Sequence, residues 1–428
     1  MDYAQTIEFL FNSFPMFEKT GGMAYKPGLE RISTLCNYFG DPQKKIKTIH
    51  VAGTNGKGSS SHLIASVLQS SGYKTGLYSS PHLREFTERI KINGIEISKQ
   101  EITDFISQNL DYFKNFNASF FEITTLMAFY FFEKEKVDIA VIETGLGGRL
   151  DSTNIIVPEI SLITNISYDH TQYLGDTIEK IAFEKAGIIK SNVTVVIGEK
   201  QAETSTVFES IAASKNALFI YADDFCTLNQ VRFTQSGMEA DCMVGEKFII
   251  EKLICGLGGM YQEKNSKGVL TVLTLLSERG WKIEEENIRE GFLKVIVNTG
   301  LKGRWQILQQ HPMVVCDTAH NVAGIRYVTE QLKTLSYQNL YVVLGMMKDK
   351  EIDKILTLLP KTAWYFYTQP SLARALDSVV LFEKATVAGL KGEIINDVSE
   401  ALETAKKRAG REDLIYVGGS TFVVAEVL

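Results

Sequence analysis

The stretch Gly53-Thr54-Asn55-Gly56-Lys57-Gly58-Ser59 constrains the fold more than any other part of the chain. Ahead of it runs Thr48-Ile49-His50-Val51-Ala52, a short apolar strand. After it Leu63, Ile64, Val67 and Leu68 recur at three- and four-residue spacing, which predicts a helix. Strand, glycine-rich turn and helix in that order make backbone N–H groups converge at a helix N-terminus. There the helix dipole and the Lys57 ammonium both favour an anion. Glycine at 53, 56 and 58 lets the backbone bend tightly and approach oxygens with no Cβ in the way. The match to the P-loop template G-x-x-x-x-G-K-[ST] is incomplete, because Val51 occupies the place of its first glycine and Gly58 that of its serine or threonine. Spacing alone therefore allows either a nucleotide-phosphate cradle or a plain glycine turn.

The rest of the chain narrows the function classes. With 428 residues it is long enough for roughly two or three domains and a substantial core. A formal net charge of −6 with no long basic run argues against nucleic acid as the main partner. The five cysteines (Cys36, Cys226, Cys242, Cys255, Cys316) are scattered and form no C-x-x-C pair, which reads as reduced thiols of a cytoplasmic protein. The start, Met1-Asp2-Tyr3-Ala4-Gln5, shows no signal-peptide pattern, and the most apolar run, Leu126 to Phe132, is too short to span a bilayer. A cytoplasmic protein with no membrane partner is expected.

In chain order, residues 1 to 46 read as mainly helical, with breaks at Thr20-Gly21-Gly22-Met23 and Pro27-Gly28. Past the cradle helix, Lys74 to Tyr78 is a second strand, so the pair reads as a βαβ unit with a parallel sheet. Arg89 to Ile97 reads as a hairpin turning at Asn93-Gly94, followed by a helix pair ending in the aromatic run through Phe132. Val137 to Ile142 and Ile160 to Thr164 are buried strands, residues 176 to 190 a helix, and Val193 to Ile197 a further strand. Short β-like runs from 217 to 254 predict an antiparallel patch, and helices return from 259 to 297. The polar break Asn298 to Gly303 is the expected boundary between residues 1–298 and a smaller α/β domain of residues 299–428. The fold class is α/β, with a mostly parallel central sheet, a small antiparallel patch and that second domain.

In an open parallel sheet, ligands bind beyond the carboxyl ends of the strands. Such ends in this chain carry Gly56-Lys57, Ser80, Glu143 and His170. Glu143 suits a Mg²⁺ beside phosphates, yet serves equally as a helix cap or a solvated loop acid. His170 could ligate metal or only hydrogen-bond; Ser80 could be a plain turn residue before Pro81. Lys185, inside an apolar helix face, would ordinarily snorkel to the surface. In the second domain Gly303-Arg304-Trp305 and Asp317-Thr318-Ala319-His320-Asn321 stand out, and Arg304 with Asp317 could clasp a nucleotide or form an interdomain ion pair.

Taken together, these motifs resemble the folylpolyglutamate synthase/dihydrofolate synthase family of the Mur-ligase superfamily. The resemblance runs over almost the whole chain. It takes in the cradle, Tyr78-Ser79-Ser80-Pro81-His82-Leu83, Glu143 to Asn154, Asp169-His170-Thr171 with Leu174-Gly175, Glu184 to Ile188, Gly303-Arg304, Ala319-His320-Asn321 and Gly419-Ser420. It implies a P-loop ATP-binding domain, a Rossmann-like C-terminal domain, and an ATP-dependent ligase that joins L-glutamate to a folate or dihydropteroate carboxylate through an acyl phosphate. Implied cofactors are ATP and one or two Mg²⁺; implied partners are small-molecule substrates alone, on a monomer.

Residue by residue, the resemblance implies that Lys57 and the amides of Gly56, Lys57, Gly58 and Ser59 hold the ATP phosphates, that Asn55 also binds ATP, and that Asn265, Arg304 and Asp317 bind the nucleotide across a cleft. Ser80, Glu143, His170 and Lys185 match magnesium positions, with Lys185 matching a lysine the family carbamylates. Lys57, Lys185, His320 and Asp317 would be the catalytic set. His320 and Ser420 match positions near incoming glutamate. Tyr25 to Arg31 (Gly28, Leu29, Glu30 and Arg31 within it), Phe121, Glu122, Leu150, Asp151 and Ser152 match positions near the pterin. The chain departs from the family at Thr318, where a glycine is usual, at Val322, where a proline is usual, and at Tyr261, where a histidine is usual. The threonine is expected to shift the Asp317 loop. One rival is a ligase of peptidoglycan precursors, which would carry a nucleotide-sugar-binding domain ahead of the cradle. Another is a P-loop switch, which would need neither Lys185 nor the Arg304/Asp317 pair.

Overall fold

A computed structural model describes residues 1–14, 28–234 and 237–428. Tyr25, Lys26 and Pro27, matched to the pterin positions by resemblance, lie outside the described residues. Strand β1 (Thr48–Ala52) is buried along its whole length, as an apolar run inside a sheet covered on both faces must be. Around it lie β2 (Thr75–Tyr78), β3 (Ile90–Ile92), β4 (Ile95–Glu96), β5 (Ile139–Glu143), β6 (Ile160–Ile163), β7 (Thr194–Ile197) and β8 (Phe219–Tyr221). They form one eight-stranded sheet in the order β4-β3-β2-β5-β1-β6-β7-β8. The pairs from β2 to β8 are parallel, and β3 and β4 add an antiparallel hairpin at one edge. Its turn residues Asn93 and Gly94 have φ of 48° and 74°, the left-handed values that a two-residue hairpin turn demands.

The cradle helix spans Lys57–Ser70. Leu63, Ile64, Val67 and Leu68 expose nothing to solvent, and burying each contributes about 1.5–3 kcal/mol before the entropy of ordering the chain. The periodicity predicts one buried face, but every residue from Ser59 to Leu68 is buried. Helices Gln262–Glu278, Glu285–Leu293 and Val295–Thr299 pack on its other sides. Its serines suit that role: Ser66 Oγ donates to the Gly291 carbonyl at 2.6 Å. Gly291 itself is required, since a Cβ there would stand 2.5 Å from Val67 Cα. The cradle is thereby braced from behind by chain more than two hundred residues away.

The antiparallel patch consists of β9 (Cys226–Thr234), β10 (Gly237–Val244) and β11 (Phe248–Cys255). The expected patch from 217 is thus corrected at its start, because Phe219–Tyr221 joins the parallel sheet as β8. A helix over Ala202–Ser214 precedes it without a sequence expectation. The expected helix pair before Phe132 is three helices, Lys99–Gln108, Leu110–Asn115 and Phe120–Lys134. Asn109 makes the extra break by turning its side-chain amide onto the Phe105 carbonyl at 2.8 Å. The C-terminal α/β unit holds β12 (Gln306–Gln310), β13 (Met313–Asp317), β14 (Leu340–Leu344), β15 (Trp364–Tyr367), β16 (Lys391–Ile394) and β17 (Leu414–Gly418), ordered β12-β13-β17-β14-β15-β16. Only β12 runs antiparallel to its neighbour. No helix among the described residues is long and apolar enough to cross a membrane.

Candidate active site

A cleft of about 720 Å³ opens where the two large sheets face each other, lined by the cradle, Ser80, Glu143, Asn265, Arg304, Asp317 and His320. The cradle is held from the carboxyl end of β6. Thr54 N–H donates to the Asn165 carbonyl at 2.9 Å, Asn55 N–H to Asn165 Oδ1 at 3.1 Å, and Thr164 Oγ1 to the Asn55 carbonyl at 2.6 Å. Gly53 and Gly56 sit at φ of 147° and 83°. A Cβ would lie 1.8 Å from Thr164 Oγ1 at the first and 2.1 Å from Asn265 Oδ1 at the second. The Lys57 ammonium folds back over the loop, 3.2 Å from the Gly53 carbonyl and 3.3 Å from that of Thr54.

Gly58 explains the misfit to the general template. A Cβ built there would stand 3.2 Å from the Arg304 guanidinium and 3.9 Å from Glu143 Oε2. An arginine and a carboxylate thus take the space that a serine or threonine hydroxyl fills in the general template. Ser59 accepts from Gln262 Nε2 at 3.3 Å, and Gln262 in turn accepts from Asn265 Nδ2 at 2.8 Å.

Glu143, the last residue of β5, is buried and accepts from Ser80 N–H at 3.4 Å. Burial pushes its carboxyl up to about 7, against the pull of Lys57 and Arg304. Lys185 does not snorkel. It is buried and donates to the Gly53 carbonyl at 2.8 Å. Burial, reinforced by Lys57, brings its amine down to about 7. Burial likewise lowers His170 to about 3, so its ring is neutral. His170 and Lys185 are not among the residues that line the cleft. Among the described residues no three His, Cys, Asp or Glu side chains gather into a metal cage.

From the other side comes Asp317, at the end of β13. It is buried and accepts from Trp305 N–H at 2.7 Å, Ala319 N–H at 2.8 Å and the Tyr261 hydroxyl at 2.5 Å. Arg304 donates to the Thr318 hydroxyl. The threonine therefore anchors the arginine, and the Asp317 carboxylate keeps its backbone donors. His320 lies with Nδ1 3.0 Å from the Thr318 carbonyl and Nε2 3.2 Å from Asp169 Oδ2.

Asp169 is the hub joining the two sheets, and sequence reasoning assigned it no role. Lys350 meets it at 2.5 Å with both side chains buried. Asn321 Nδ2 donates to it at 3.1 Å and to Asn55 Oδ1 at 2.9 Å. Burial alone would raise the Asp169 carboxyl, but Lys350, His320 and His170 hold it well below the usual carboxylate range. Replacing Lys350 with Met should lower stability by about 3 kcal/mol, because it strands a buried carboxylate. Denaturant unfolding checks this. In the parent, that contribution is fully present above the unfolded carboxylate value of about 4 and fades as pH falls through the lower folded value. Nothing in the run Lys348-Asp349-Lys350-Glu351 distinguishes Lys350 from a solvated charge.

The remaining predicted residues form a separate group. Arg31 Nε pairs with the buried Glu122 at 3.1 Å. Glu122 also accepts Ser119 N–H at 2.7 Å at the start of its helix. Phe121 lies over Gly145, where a Cβ would come within 2.5 Å of its ring. Asp151 is buried and accepts Leu146 N–H at 2.8 Å and Thr153 Oγ1 at 2.6 Å, next to the buried Ser152. Gly28 (φ 119°), Leu29 and Glu30 lead into the helix Glu30–Tyr38, which packs on this group. Leu150 is half-buried. None of these residues lines the cleft. Ser420 is also withdrawn: its hydroxyl caps the helix Thr421–Val427 by accepting Phe422 N–H at 3.1 Å.

Comparison with known proteins places this geometry. The family model described as "Mur ligase middle domain" matches residues 51–273, and "Mur ligase, glutamate ligase domain" matches residues 303–421. A dihydrofolate synthase/folylpolyglutamate synthase of Bacillus subtilis is 35% identical over 413 residues, 94% of each chain. One from Escherichia coli is 32% identical over 94% of this chain and 90% of its own. Among solved structures, E. coli FolC in complex with DHPP and ADP superposes with a TM-score of 0.87 at 30% identity, covering 100% of this chain and 97% of that one. Folylpolyglutamate synthase from Thermotoga maritima does so with 0.82 at 34%, covering 99% and 95%.

Proposed function

The chain belongs to the Mur ligase family, among its folylpolyglutamate synthases/dihydrofolate synthases, and from that premise we propose that it joins L-glutamate to the carboxylate of a folate, of dihydropteroate, or of both. The reaction consumes ATP and yields ADP and phosphate. The observation that carries the reading is the meeting of Arg304 and Glu143 over Gly58. A cation from one sheet and an acid from the other converge on a phosphate cradle. A timer for hydrolysis needs no second sheet to complete it.

The chemistry accounts for the inventory. A carboxylate is a poor electrophile, so ATP first phosphorylates it to an acyl phosphate. The glutamate amine then attacks, and phosphate leaves from a tetrahedral intermediate. The protein forms no covalent bond in this scheme; it positions groups and offsets charge. Lys57 and the amides of Gly56 to Ser59 hold the phosphates, while Asn55, Asn265, Arg304 and Asp317 hold the nucleotide. A divalent cation bound with the phosphates supplies further positive charge to the transferring group. Ser80, Glu143, His170 and a carbamylated Lys185 would hold it. The fit is good: a carboxylate stands beside the cradle next to Ser80. The lack of a preformed cage among the described residues suits Mg²⁺, which keeps waters and phosphate oxygens as ligands.

Incoming glutamate is assigned to His320 and Ser420, and the pterin to Gly28, Leu29, Glu30, Arg31, Phe121, Glu122, Leu150, Asp151 and Ser152. Residues 1–298 carry ATP and folate, and residues 299–428 carry glutamate, on a cytoplasmic monomer whose five cysteines are all free and buried.

ADP formation tests the reading directly. It should require glutamate together with either dihydropteroate or tetrahydrofolate, and the ratio between those two acceptors identifies the preferred substrate. ADP released equally with neither acceptor present would favour a nucleotide switch, and release driven only by a peptidoglycan precursor would favour the sister ligases.

A further inference from the structure

The surroundings of Tyr261 assign it a task. It ends the loop before the helix Gln262–Glu278, whose Gln262 and Asn265 reach the cradle through Ser59 and Gly56. Its ring is fixed on two sides. Gly259, at φ 99°, leaves room where a Cβ would fall 2.5 Å from Tyr261 Cζ. Tyr327, on the helix Val322–Thr334 of the C-terminal unit, packs edge-on at 6.2 Å. So held, the hydroxyl donates across the cleft to Asp317 Oδ2 at 2.5 Å.

The carboxylate then has a fixed plane. Oδ2 accepts from Tyr261 and Trp305, and Oδ1 accepts from Ala319. Both backbone donors come from the C-terminal unit itself, and Tyr261 is the donor that refers the carboxylate to the helix behind the cradle. An acceptor fixed in this way suits a hydroxyl-bearing ligand such as the sugar of a nucleotide, because the orientation is set before the ligand arrives.

We propose that Tyr261 is a positioning residue for nucleotide: its hydroxyl aligns the Asp317 carboxylate and couples the cradle side of the cleft to the C-terminal side. The inference rests on the reading of the cleft as an ATP site. It assigns Tyr261 a role in the nucleotide step alone, leaving glutamate and folate untouched.

Calorimetric titration of the whole protein with ADP and magnesium chloride, paired with steady-state kinetics, tests it. Tyr261→Phe removes one oxygen and keeps the ring. It should weaken ADP binding by about three- to tenfold, because the ligand must then orient a carboxylate that is no longer preset. KM for ATP should rise in parallel, while KM for glutamate and kcat stay within about twofold. In an Asp317→Ala background the same substitution should change ADP affinity by less than about twofold, since the acceptor it aligns is gone. Unchanged ADP affinity in Tyr261→Phe, a fall spread over all three substrates, or fully additive effects in the double variant would each overturn the assignment. Failure of the unsubstituted protein to bind ADP would instead overturn the ATP-site reading itself.

Discussion

Replacing Lys57 with Ala should lower kcat/KM for ATP by at least about a thousandfold while leaving the fold intact, a loss in the range measured for single charge-stabilising groups in phosphoryl transfer. The two halves of that expectation have separate structural causes. The fold should survive because, among the described residues, the ammonium hydrogen-bonds only its own loop, at the Gly53 and Thr54 carbonyls, and the cradle is pinned independently by Thr164 and Asn165. Activity should collapse because Lys57 is the cradle's only lysine or arginine and also acts on its neighbours. It opposes the burial that raises Glu143 and adds to the burial that lowers Lys185. Without it, Glu143 rises further toward the protonated form. An assay of ADP formation with a thermal melt of the same sample checks both halves. Near-parental turnover in a folded variant would remove Lys57 from the phosphate site.

Much of this arrangement is legible in the residues, for reasons that can be named. The cradle and Glu143 sit at carboxyl ends of adjacent parallel strands, with Val51 beside Glu143 in register. An apolar run followed by polar residues marks such ends in any sequence. The antiparallel hairpin at Asn93-Gly94 is equally local. What the residues conceal is non-local. A three-residue strand such as β8 is too short for periodicity to separate it from the patch that follows. The cradle helix reads as amphipathic because its other faces are covered by helices far along the chain. Lys350 looks like one charge in a solvated run until the C-terminal sheet brings it onto Asp169. That the Thr318 hydroxyl accepts from Arg304 is equally hidden in the residues. Ser420 belongs to a matching motif, which gives no sign that its hydroxyl also accepts Phe422 N–H as a helix cap. Local chemistry was readable; the partners each group would find across the cleft were not.

Lys185→Ala should be the second most damaging change, with loss of about a hundredfold or more in kcat and partial recovery by small carboxylic acids. An unmodified buried lysine has one visible task, its bond to the Gly53 carbonyl. Removing it leaves that carbonyl to the Lys57 ammonium alone, a loss of about 0.5–1.5 kcal/mol for one hydrogen bond. That structural loss would not respond to acetate or formate. The amine is also held near 7 by burial and by Lys57, so near neutral pH much of it is uncharged. Only the uncharged amine adds to carbon dioxide, forming an N–C bond and releasing a proton to leave a carbamate anion. A carbamate would replace a cation with an oxygen ligand at the Gly53 end of the cradle, and a short carboxylate could partly stand in for it in the alanine variant. Activity measured with and without added acetate separates the two roles. Rescue together with a parent mass raised by one carbon dioxide supports the carbamate. A stable variant with no rescue, alongside an unmodified parent, would leave Lys185 as a brace for the cradle and nothing more.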